Sequence, residues 1–176
     1  LLFVQIAAAN LVVNGDFETN DLTGWTLVPA SEGSLFNIVQ YYGHSGDYAA
    51  GFGASAAYDD TITQDIPTVD KQQYTFDFWL RHLEIAEVAN DFHVFWNGTE
   101  LLSLVNHESF DYTHYVYTVT ATGSSSTIRF AGFENDDTSF YLVDDVSVSQ
   151  VPLPGAVVLL GSGLLPLLGW RRMRKG

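Results

Sequence analysis

One carboxylate near the end of the chain occupies a position where an alternating strand pattern calls for an apolar side chain. In residues 140–148, Leu142 and Val146 predict the core-facing side of a strand, and Asp144 is in phase with them. An ionised carboxylate in a core is costly unless it is paired or bound to a cation. Because Ca²⁺ takes about six to eight oxygen ligands, the pattern favours a structural calcium ion at Asp144. The alternative without metal is a bulge, or a bond to a backbone N–H or to Arg129.

Several aromatic side chains are candidates for a sugar-binding surface. Such a surface needs exposed ring faces on a groove, with polar groups beside them. The strand containing Trp79 has its other aromatic residues on the opposite side, and Asp77 and Arg81 flank the indole position. The four candidates are Trp79, Phe95, Tyr41 and Tyr42. The alternative for each ring is a second, smaller contact layer under a loop.

No residue pattern supports catalysis. The sequence contains neither a Gly-x-Ser-x-Gly elbow nor a His-Glu-x-x-His helix motif. Carboxylates are so numerous that no pair of them identifies a glycosidase, and the pairs Asp59-Asp60 and Asp136-Asp137 are predicted in exposed turns. The five histidines show no metal-ligand spacing. We therefore predict a protein that is not an enzyme, with a small hydrolase as the weaker alternative.

Charge restricts the partners. All 21 Asp and Glu residues lie in residues 10–150, where the only basic residues are Lys71, Arg81 and Arg129. Nucleic acid and anionic lipid are excluded as partners, because phosphate binding needs a cationic patch. A polyanion of this kind suits divalent cations or neutral polysaccharide. The chain has no cysteine, so packing, and calcium where it binds, must hold the fold.

Strand patterns dominate this acidic region. Strict alternation of apolar and polar residues recurs along it, in residues 74–80, 92–96, 115–119, 128–130 and 140–148. Asn97-Gly98 predicts a tight hairpin turn into Leu101 and Leu102. Only residues 80–90 have room for a short helix, and a loop or strand extension is the better prediction there. Short strands between Gly, Ser, Asn and Asp clusters predict an all-β sandwich.

The region also resembles the galactose-binding-like jelly rolls, which include several families of carbohydrate-binding modules. The resemblance rests on Asn14-Gly15-Asp16-Phe17-Glu18 with Gly24-Trp25 at the start, on Ser45-Gly46-Asp47-Tyr48-Ala49, Thr63-Gln64-Asp65-Ile66 and Phe95-Trp96-Asn97-Gly98 in the middle, and on residues 140–148 at the end. It spans residues 10–150 and implies a jelly-roll β-sandwich for that domain.

The same resemblance implies a fuller set of calcium ligands. In jelly rolls of this type the first and last strands are neighbours, which would bring Asp16 and Glu18 toward Asp144 or Asp145. The loop at Gly46 would then offer a backbone carbonyl. We therefore expect a structural Ca²⁺ held by these five residues.

Residues 151–176 have the three-part pattern of a targeting signal. A short proline motif, Val151, Pro152, Leu153 and Pro154, precedes an apolar run over residues 155–170. At about 1.5 Å per residue this run reaches about 24 Å as a helix, slightly less than a hydrocarbon core of about 30 Å. The basic stop consists of Arg171, Arg172, Arg174 and Lys175, within residues 171–176. The positive-inside rule places this end in the cytoplasm and the rest of the chain across the membrane.

This ending resembles the PEP-CTERM sorting signal of Gram-negative bacteria that make exopolysaccharide. The usual motif is Val-Pro-Glu-Pro, and Leu153 stands where Glu is expected. The resemblance implies processing by an exosortase at the inner membrane, removal of the membrane span, and release to the cell surface or extracellular matrix. A plain tail anchor is the alternative.

The opposite end predicts a second export signal. Residues 1–9 read as the end of a secretory signal peptide, with Ala7-Ala8-Ala9 as an Ala-x-Ala cleavage site. Cleavage after Ala9 would make Asn10 the mature N-terminus, whereas the alternative is an ordinary first strand. Together the signals predict an exported, non-catalytic matrix protein associated with exopolysaccharide. The alternative function is a lectin-like module that recognises a specific glycan.

Overall fold

The computed structural model describes residues 9–31, 33–53, 58–83, 89–136 and 138–152. These residues form ten strands and no helix. The strands are β1 (Thr26–Val28), β2 (Asn37–Gln40), β3 (Tyr48–Phe52), β4 (Asp60–Pro67), β5 (Gln73–Leu83), β6 (Asn90–Trp96), β7 (Thr99–Val105), β8 (Phe110–Thr120), β9 (Ser125–Glu134) and β10 (Phe140–Gln150).

The strands pack as two five-stranded sheets. The first sheet has the order β1-β4-β9-β6-β7, the second has the order β2-β3-β10-β5-β8, and every pairing is antiparallel. This architecture confirms the predicted all-β sandwich. The predicted helix over residues 155–170 lies outside the described residues, as do residues 1–8 of the predicted signal peptide. None of the described residues forms an apolar helix that could span a bilayer.

Aromatic side chains from the two sheets meet in the core, as their alternation predicts. In β5, Tyr74, Phe76, Phe78 and Leu80 are all buried. Phe130 of β9 packs edge-on against Phe78 across the sandwich, with ring centroids 5.1 Å apart. Burying side chains of this size contributes about 1.5–3 kcal/mol each, so these aromatic residues supply much of the driving force for folding.

The turn between β6 and β7 forms at the predicted dipeptide. Asn97 and Gly98 have φ values of 48° and 78°. Positive φ at both central residues is the geometry that a two-residue hairpin requires, and Asn-Gly accommodates it with little strain. The prediction of a hairpin at this position is confirmed.

The last strand departs from the predicted register. β10 pairs Asp144 with Trp79 and then Ser147 with Asp77, so a bulge falls between them, and Asp145 has a φ of 49°. An extra residue reverses the alternation that follows it. Leu142 and Asp144 therefore lie on the side of the sheet that faces away from the core. The prediction that they face the core in phase with Val146 is wrong.

Buried side chains of β10 show the reversal directly. Tyr141 and Val143 belong to the core before the bulge, and Val146 and Val148 belong to it afterwards. These four side chains fill the core on both sides of the bulge. The bulge was one of the two alternatives that the sequence left open for Asp144.

Residues 11–15 lie beside the last strand. The backbone N–H of Leu11 donates to the carbonyl of Val148, and the N–H of Val146 donates to the carbonyl of Gly15, each over 2.8 Å. A side chain on Gly15 would collide with the Val146 carbonyl, so close approach of the two segments requires glycine there. The predicted proximity of the first and last segments of the domain is confirmed.

Candidate functional site

A three-ring stack stands on the outer face of the second sheet, which is the side turned away from the core. His44 stacks on Trp79 with ring centroids 3.8 Å apart and planes 13° apart, and His114 stacks on Trp79 at 4.8 Å and 9°. His44 comes from the β2–β3 loop and His114 from β8, so they approach β5 from opposite sides. Both faces of the Trp79 indole are therefore covered.

Each histidine of the stack is held by a carboxylate. His44 Nδ1 lies 2.7 Å from Asp145 Oδ2, and His114 Nε2 lies 3.1 Å from Asp77 Oδ1. The His44 side chain is 29% exposed and that of His114 is 41% exposed. These bonds fix the planes of both imidazoles against the indole. The arrangement positions the β2–β3 loop and leaves Trp79 no free ring face for a sugar.

Asp144 lies beneath that loop and is fully buried. Its carboxylate accepts hydrogen bonds from the backbone N–H groups of His44, Ser45 and Asp145 over 2.7–3.0 Å. Burial raises the pKa of Asp144 to about 7, while the bonds from Ser45 and Asp145 act in the opposite direction. Asp144 therefore anchors the loop through backbone donors, the second alternative that the sequence left open.

The other predicted calcium ligands surround the same loop. Glu18 Oε1 accepts hydrogen bonds from the backbone N–H groups of Asp47 and Tyr48, each at 2.8 Å. Gly46 has a φ of 65°, and a Cβ at this position would collide with the Glu18 carboxylate. Asp16 accepts a long hydrogen bond of 3.4 Å from the Glu18 N–H. Sequence reasoning thus identified the neighbours of this loop correctly.

The predicted ligands offer the right atoms but are already satisfied by other donors. Carboxylate oxygens are what Ca²⁺ prefers, yet N–H groups occupy those of Glu18 and Asp144, and Ser45 Oγ and His44 occupy those of Asp145. Across the described part of the chain, no three His, Cys, Asp or Glu residues are placed to share one metal ion. These donors bond to Glu18 Oε1 and to both oxygens of Asp144 and of Asp145.

A small apolar cleft opens beside the stack on the same outer face. Its volume is about 80 Å³. It is lined by Val39, Tyr42, Leu83, Thr138, Phe140 and Leu142. Tyr42 is 42% exposed, and its carbonyl accepts a hydrogen bond of 2.6 Å from the hydroxyl of Tyr112. The cleft thus combines one partly exposed aromatic ring with apolar walls.

A guanidinium group lies on the same outer face as this cleft but does not line it. Arg81 pairs with Leu142 in the β5–β10 register, so both occupy the outer face, and Arg81 Nε lies 3.7 Å from Asp111 Oδ1. The Asp111 side chain is 91% exposed, which leaves this ion pair weak and the guanidinium able to bond to a ligand. Tyr41, the other loop candidate, is 81% exposed and does not line this cleft.

Phe95 lies on the opposite side of the sandwich, on the outer face of the first sheet. The guanidinium carbon of Arg129 lies 3.6 Å from its ring centroid, and His93 lies nearby with a ring-centroid distance of 6.2 Å. His93 is itself bonded to Glu100 at 2.8 Å. One face of Phe95 is therefore occupied by a side chain of the protein, and the structure does not bring Phe95 near the other aromatic candidates.

The sequence analysis did not predict the burial of three polar residues, His82, Glu134 and Asp60. His82 Nε2 lies 2.5 Å from Glu134 Oε1, with both side chains fully buried. Asp60 is also fully buried, and it accepts hydrogen bonds from the Ala30 N–H and the Ser34 hydroxyl, so its predicted place in an exposed turn is wrong. The alternation of β4 places Asp60 in phase with buried Ile62 and was the available signal. Asp137 lies outside the described residues.

No protein-family model matches the chain. Two curated relatives are 32% identical to it over 152 residues, which is 81% of this chain. They are the multifunctional-autoprocessing repeats-in-toxin proteins of Vibrio vulnificus and of Vibrio cholerae serotype O1. The chain spans about 3% of the length of these relatives, so it is similar to one small part of each.

Solved structures share the fold at low identity. The carbohydrate-binding module TmCBM61, solved in complex with β-1,4-galactotriose, has a TM-score of 0.63 and 16% identity and aligns over 82% of this chain and 100% of its own. A family 16 carbohydrate-binding module has a TM-score of 0.54 and 16% identity, over 79% and 99% of the two chains. The protein therefore has the jelly-roll fold of carbohydrate-binding modules.

An enzyme is also among the structures with this fold. The enzymatically active domain of tailspike protein 4 from bacteriophage CBA120 has a TM-score of 0.57 and 11% identity, over 81% of this chain and 21% of its own. The fold therefore occurs both as a separate binding module and as part of a larger enzyme chain. Function must be argued from the residues of this chain.

Proposed function

We propose that this domain binds a neutral polysaccharide without changing it chemically, through the outer face of the second sheet. The observation that carries the proposal is the cleft beside Tyr42. The cleft combines a partly exposed ring with apolar walls and the polar side chain of Thr138, and Arg81 lies on the same face of the sheet. Sugars bind proteins through aromatic rings flanked by hydrogen-bonding groups, which is the combination found at this cleft.

The charge of the chain supports a neutral ligand. The formal net charge is −14 at pH 7, and all 21 acidic residues precede the linker at residue 151. An anionic polysaccharide would be repelled over most of this surface. On the same face, Arg81 is the basic residue in the described β5–β10 register, and its N–H groups can donate hydrogen bonds to the hydroxyl groups of a neutral sugar.

The rest of the outer face acts on this cleft indirectly. Tyr42 belongs to the loop that Asp144 anchors and that His44 ties to Trp79. Trp79 is therefore a positioning residue in this proposal and does not contact the sugar. Of the four aromatic candidates from the sequence, Tyr42 is the one whose position fits direct contact.

A glycan array with the full chain tests the proposal, followed by titration calorimetry on the strongest ligand. Tyr42→Ala should weaken binding about tenfold or more, because the loss of one stacking ring amounts to about 1.4 kcal/mol or more. Tyr58→Ala is the matched control, since Tyr58 is 56% exposed and precedes β4 in the first sheet. Binding that survives Tyr42→Ala, or that Tyr58→Ala weakens equally, would contradict the proposed face.

We also propose that the chain is exported and sorted to the cell surface or matrix, where glycan binding would retain it on exopolysaccharide. The support is the sequence resemblance of residues 151–176 to the PEP-CTERM signal, most of which lies outside the described residues. The proposed partners are an exosortase, the inner membrane before processing, and the polysaccharide matrix. This proposal does not depend on the location of the glycan site.

Sorting can be tested in a Gram-negative host with and without an exosortase. Mass spectrometry of the released protein should show loss of residues after the proline motif only when the enzyme is present. Pro152→Ala should leave the tail attached, whereas Tyr58→Ala should not. A chain that keeps its tail in both hosts would favour a plain tail anchor.

Calcium remains a proposal from the sequence. A Ca²⁺ ion near Glu18 and Asp145 would share these carboxylates with the N–H and hydroxyl donors that bond to them. Thermal unfolding of the full chain with Ca²⁺ and with excess chelator tests it. A site bound at about 100 times its Kd would add about 2.7 kcal/mol, which Asp145→Asn should remove. Identical melting with Ca²⁺ and with chelator would show that these donors satisfy the carboxylates alone.

A further inference from the structure

The two sheets have four edge strands, and one of them differs from the others. β1 has 3 residues and β2 has 4 residues, so neither edge offers a long row of free backbone groups. β7 has 7 residues and carries the charged side chain of Glu100. β8 has 11 residues and forms the outer edge of the second sheet. It is the longest edge among the described strands.

The composition of β8 lacks the usual protection of an exposed edge. Residues 112–120 contain no Lys, Arg, Asp, Glu, Pro or Gly, and they alternate Tyr, Thr and Val around His114. Sheet proteins commonly guard an edge with charge, proline, a bulge or a covering loop, because its unpaired N–H and C=O groups bind other strands. In a chain with a net charge of −14, this edge strand carries one charged side chain, that of Asp111.

The backbone of β8 is bonded on one side only. Its register with β5 is continuous from Thr113 to Thr120, with no bulge in that stretch. At the start of β8, side chains of the strand bond to its own backbone. The Tyr112 N–H donates to Asp111 Oδ1, and Thr113 Oγ1 donates to the Asp111 carbonyl. Between Thr113 and Val119, the described residues provide no backbone partner outside β5. The alternate backbone groups of this stretch therefore have no backbone partner among the described residues.

We propose that β8 pairs antiparallel with β8 of a second copy of this chain, which joins the two second sheets into one ten-stranded sheet. A register centred on Val116 places Val116 opposite itself and Tyr115 opposite Tyr117. It also places His114 opposite Thr118 on the outer face. Aromatic and β-branched pairs of this kind stabilise antiparallel strands.

Charge identifies a second copy as the occupant. Two copies of an acidic chain repel each other wherever acidic faces meet, and like charges directly opposite in a ladder are destabilising. The register centred on Val116 brings no carboxylate opposite another, because Asp111 falls opposite Ala121. Strand pairing through two-fold symmetry also presents the same residues from both copies, as a dimer interface requires.

The pairing would be weak and useful for binding. One pair of strands buries less surface than a standard interface of about 1,600 Å², so association should depend on protein concentration. The two-fold axis is perpendicular to the joined sheet, so both outer faces point in one direction. Two clefts on one side would bind a repeating polymer with avidity, although the pairing itself does not require the proposed glycan site.

Sedimentation velocity of the full chain over a range of concentrations tests the pairing. The wild type should shift from monomer to dimer as concentration rises. Val116→Lys, at a position 55% exposed, should weaken dimerisation about tenfold or more, since it sets two lysines opposite each other. The matched control is Val105→Lys on β7, the edge of the first sheet, at a position 61% exposed. It should leave dimerisation unchanged.

A mixing experiment tests the two-fold register. Val116→Lys and Val116→Glu chains should each remain monomeric alone and should form a mixed dimer together, because lysine then lies opposite glutamate. Circular dichroism of each variant confirms that the fold is intact. A wild type that stays monomeric at its highest soluble concentration would overturn the proposal. So would a dimer that Val116→Lys leaves unaffected, since association would then lie elsewhere, for example in the apolar tail.

Discussion

The outer faces of the two sheets each carry an aromatic ring that points away from the core, and the rings have different surroundings. On the first sheet, Phe95 is covered by Arg129, a neighbour from the adjacent strand. On the second sheet, Trp79 is enclosed by His44 and His114, and a loop from distant sequence completes the cover. The cover on Phe95 is a local contact between adjacent strands. The loop that covers Trp79 also forms one wall of the cleft.

The difference shows that an outward aromatic residue is not by itself a binding platform. Neither Phe95 nor Trp79 offers two free ring faces, although each points outward from its strand, away from the core-facing residues. What separates the two faces is the β2–β3 loop, which brings Tyr42 and Leu142 together around open space. The loop is therefore the feature to perturb, and matched variants on the first sheet provide the controls.

Removal of the loop anchor should have the largest effect. Asp144→Ala leaves three backbone N–H groups without their acceptor, and a buried unsatisfied donor costs about 1–3 kcal/mol. We expect the free energy of unfolding to fall by about 3 kcal/mol and glycan binding to be lost. Asp65→Ala on the first sheet removes one exposed bond to Thr127 and should lower stability by about 0.5 kcal/mol. Urea unfolding measures the stability of both variants. Equal losses of stability would contradict the proposed difference between the two outer faces.

Truncation of the two aromatic rings should have an intermediate effect. Trp79→Ala removes two ring stacks and should destabilise the protein by about 2 kcal/mol. Phe95→Ala removes one cation–π contact, worth about 0.5–1 kcal/mol, with some apolar burial and should lower stability by about 1 kcal/mol. Calorimetric titration should show weaker glycan binding for Trp79→Ala alone. Loss of binding in Phe95→Ala would instead place the site on the first sheet.

A separate effect should appear as a dependence of stability on pH. Burial raises the pKa of Asp144 to about 7, and burial with the nearby charge of Asp59 raises the pKa of Asp91 to about 6. A carboxyl whose pKa is higher in the folded state than in the unfolded state lowers stability when ionised. The penalty is fully present above the folded pKa and is relieved as the pH falls toward the unfolded value of 3.8.

Denaturant unfolding between about pH 8 and about pH 5 should therefore show stability rising as the pH falls. Asp144→Asn should remove the increase in stability that begins as the pH falls below about 7, and Asp91→Asn should remove the increase that begins below about 6. The two variants thus assign one step to each outer face. Stability that falls steadily across this range, or identical profiles for the two variants, would contradict the assignment.

The sequence by itself determined where strands form and which of their side chains fill the core. Alternation in residues 74–80 and 92–96 predicted which side chains are buried, because a strand has a period of two and one of its faces must leave water. Asn97-Gly98 predicted a hairpin from local backbone preference alone. The motif around Glu18 and Gly46 also predicted which segments meet, through resemblance to a jelly roll.

Only the tertiary structure decided the orientation of the last strand and the composition of the outer face. A single bulged residue, Asp145, reverses the alternation, and periodicity alone cannot reveal an inserted residue. The stack of His44, Trp79 and His114 joins three segments about 35 residues apart, which no local pattern encodes. Burial of His82 against Glu134 likewise depends on how two sheets pack, because the environment of a side chain is a property of its neighbours in space.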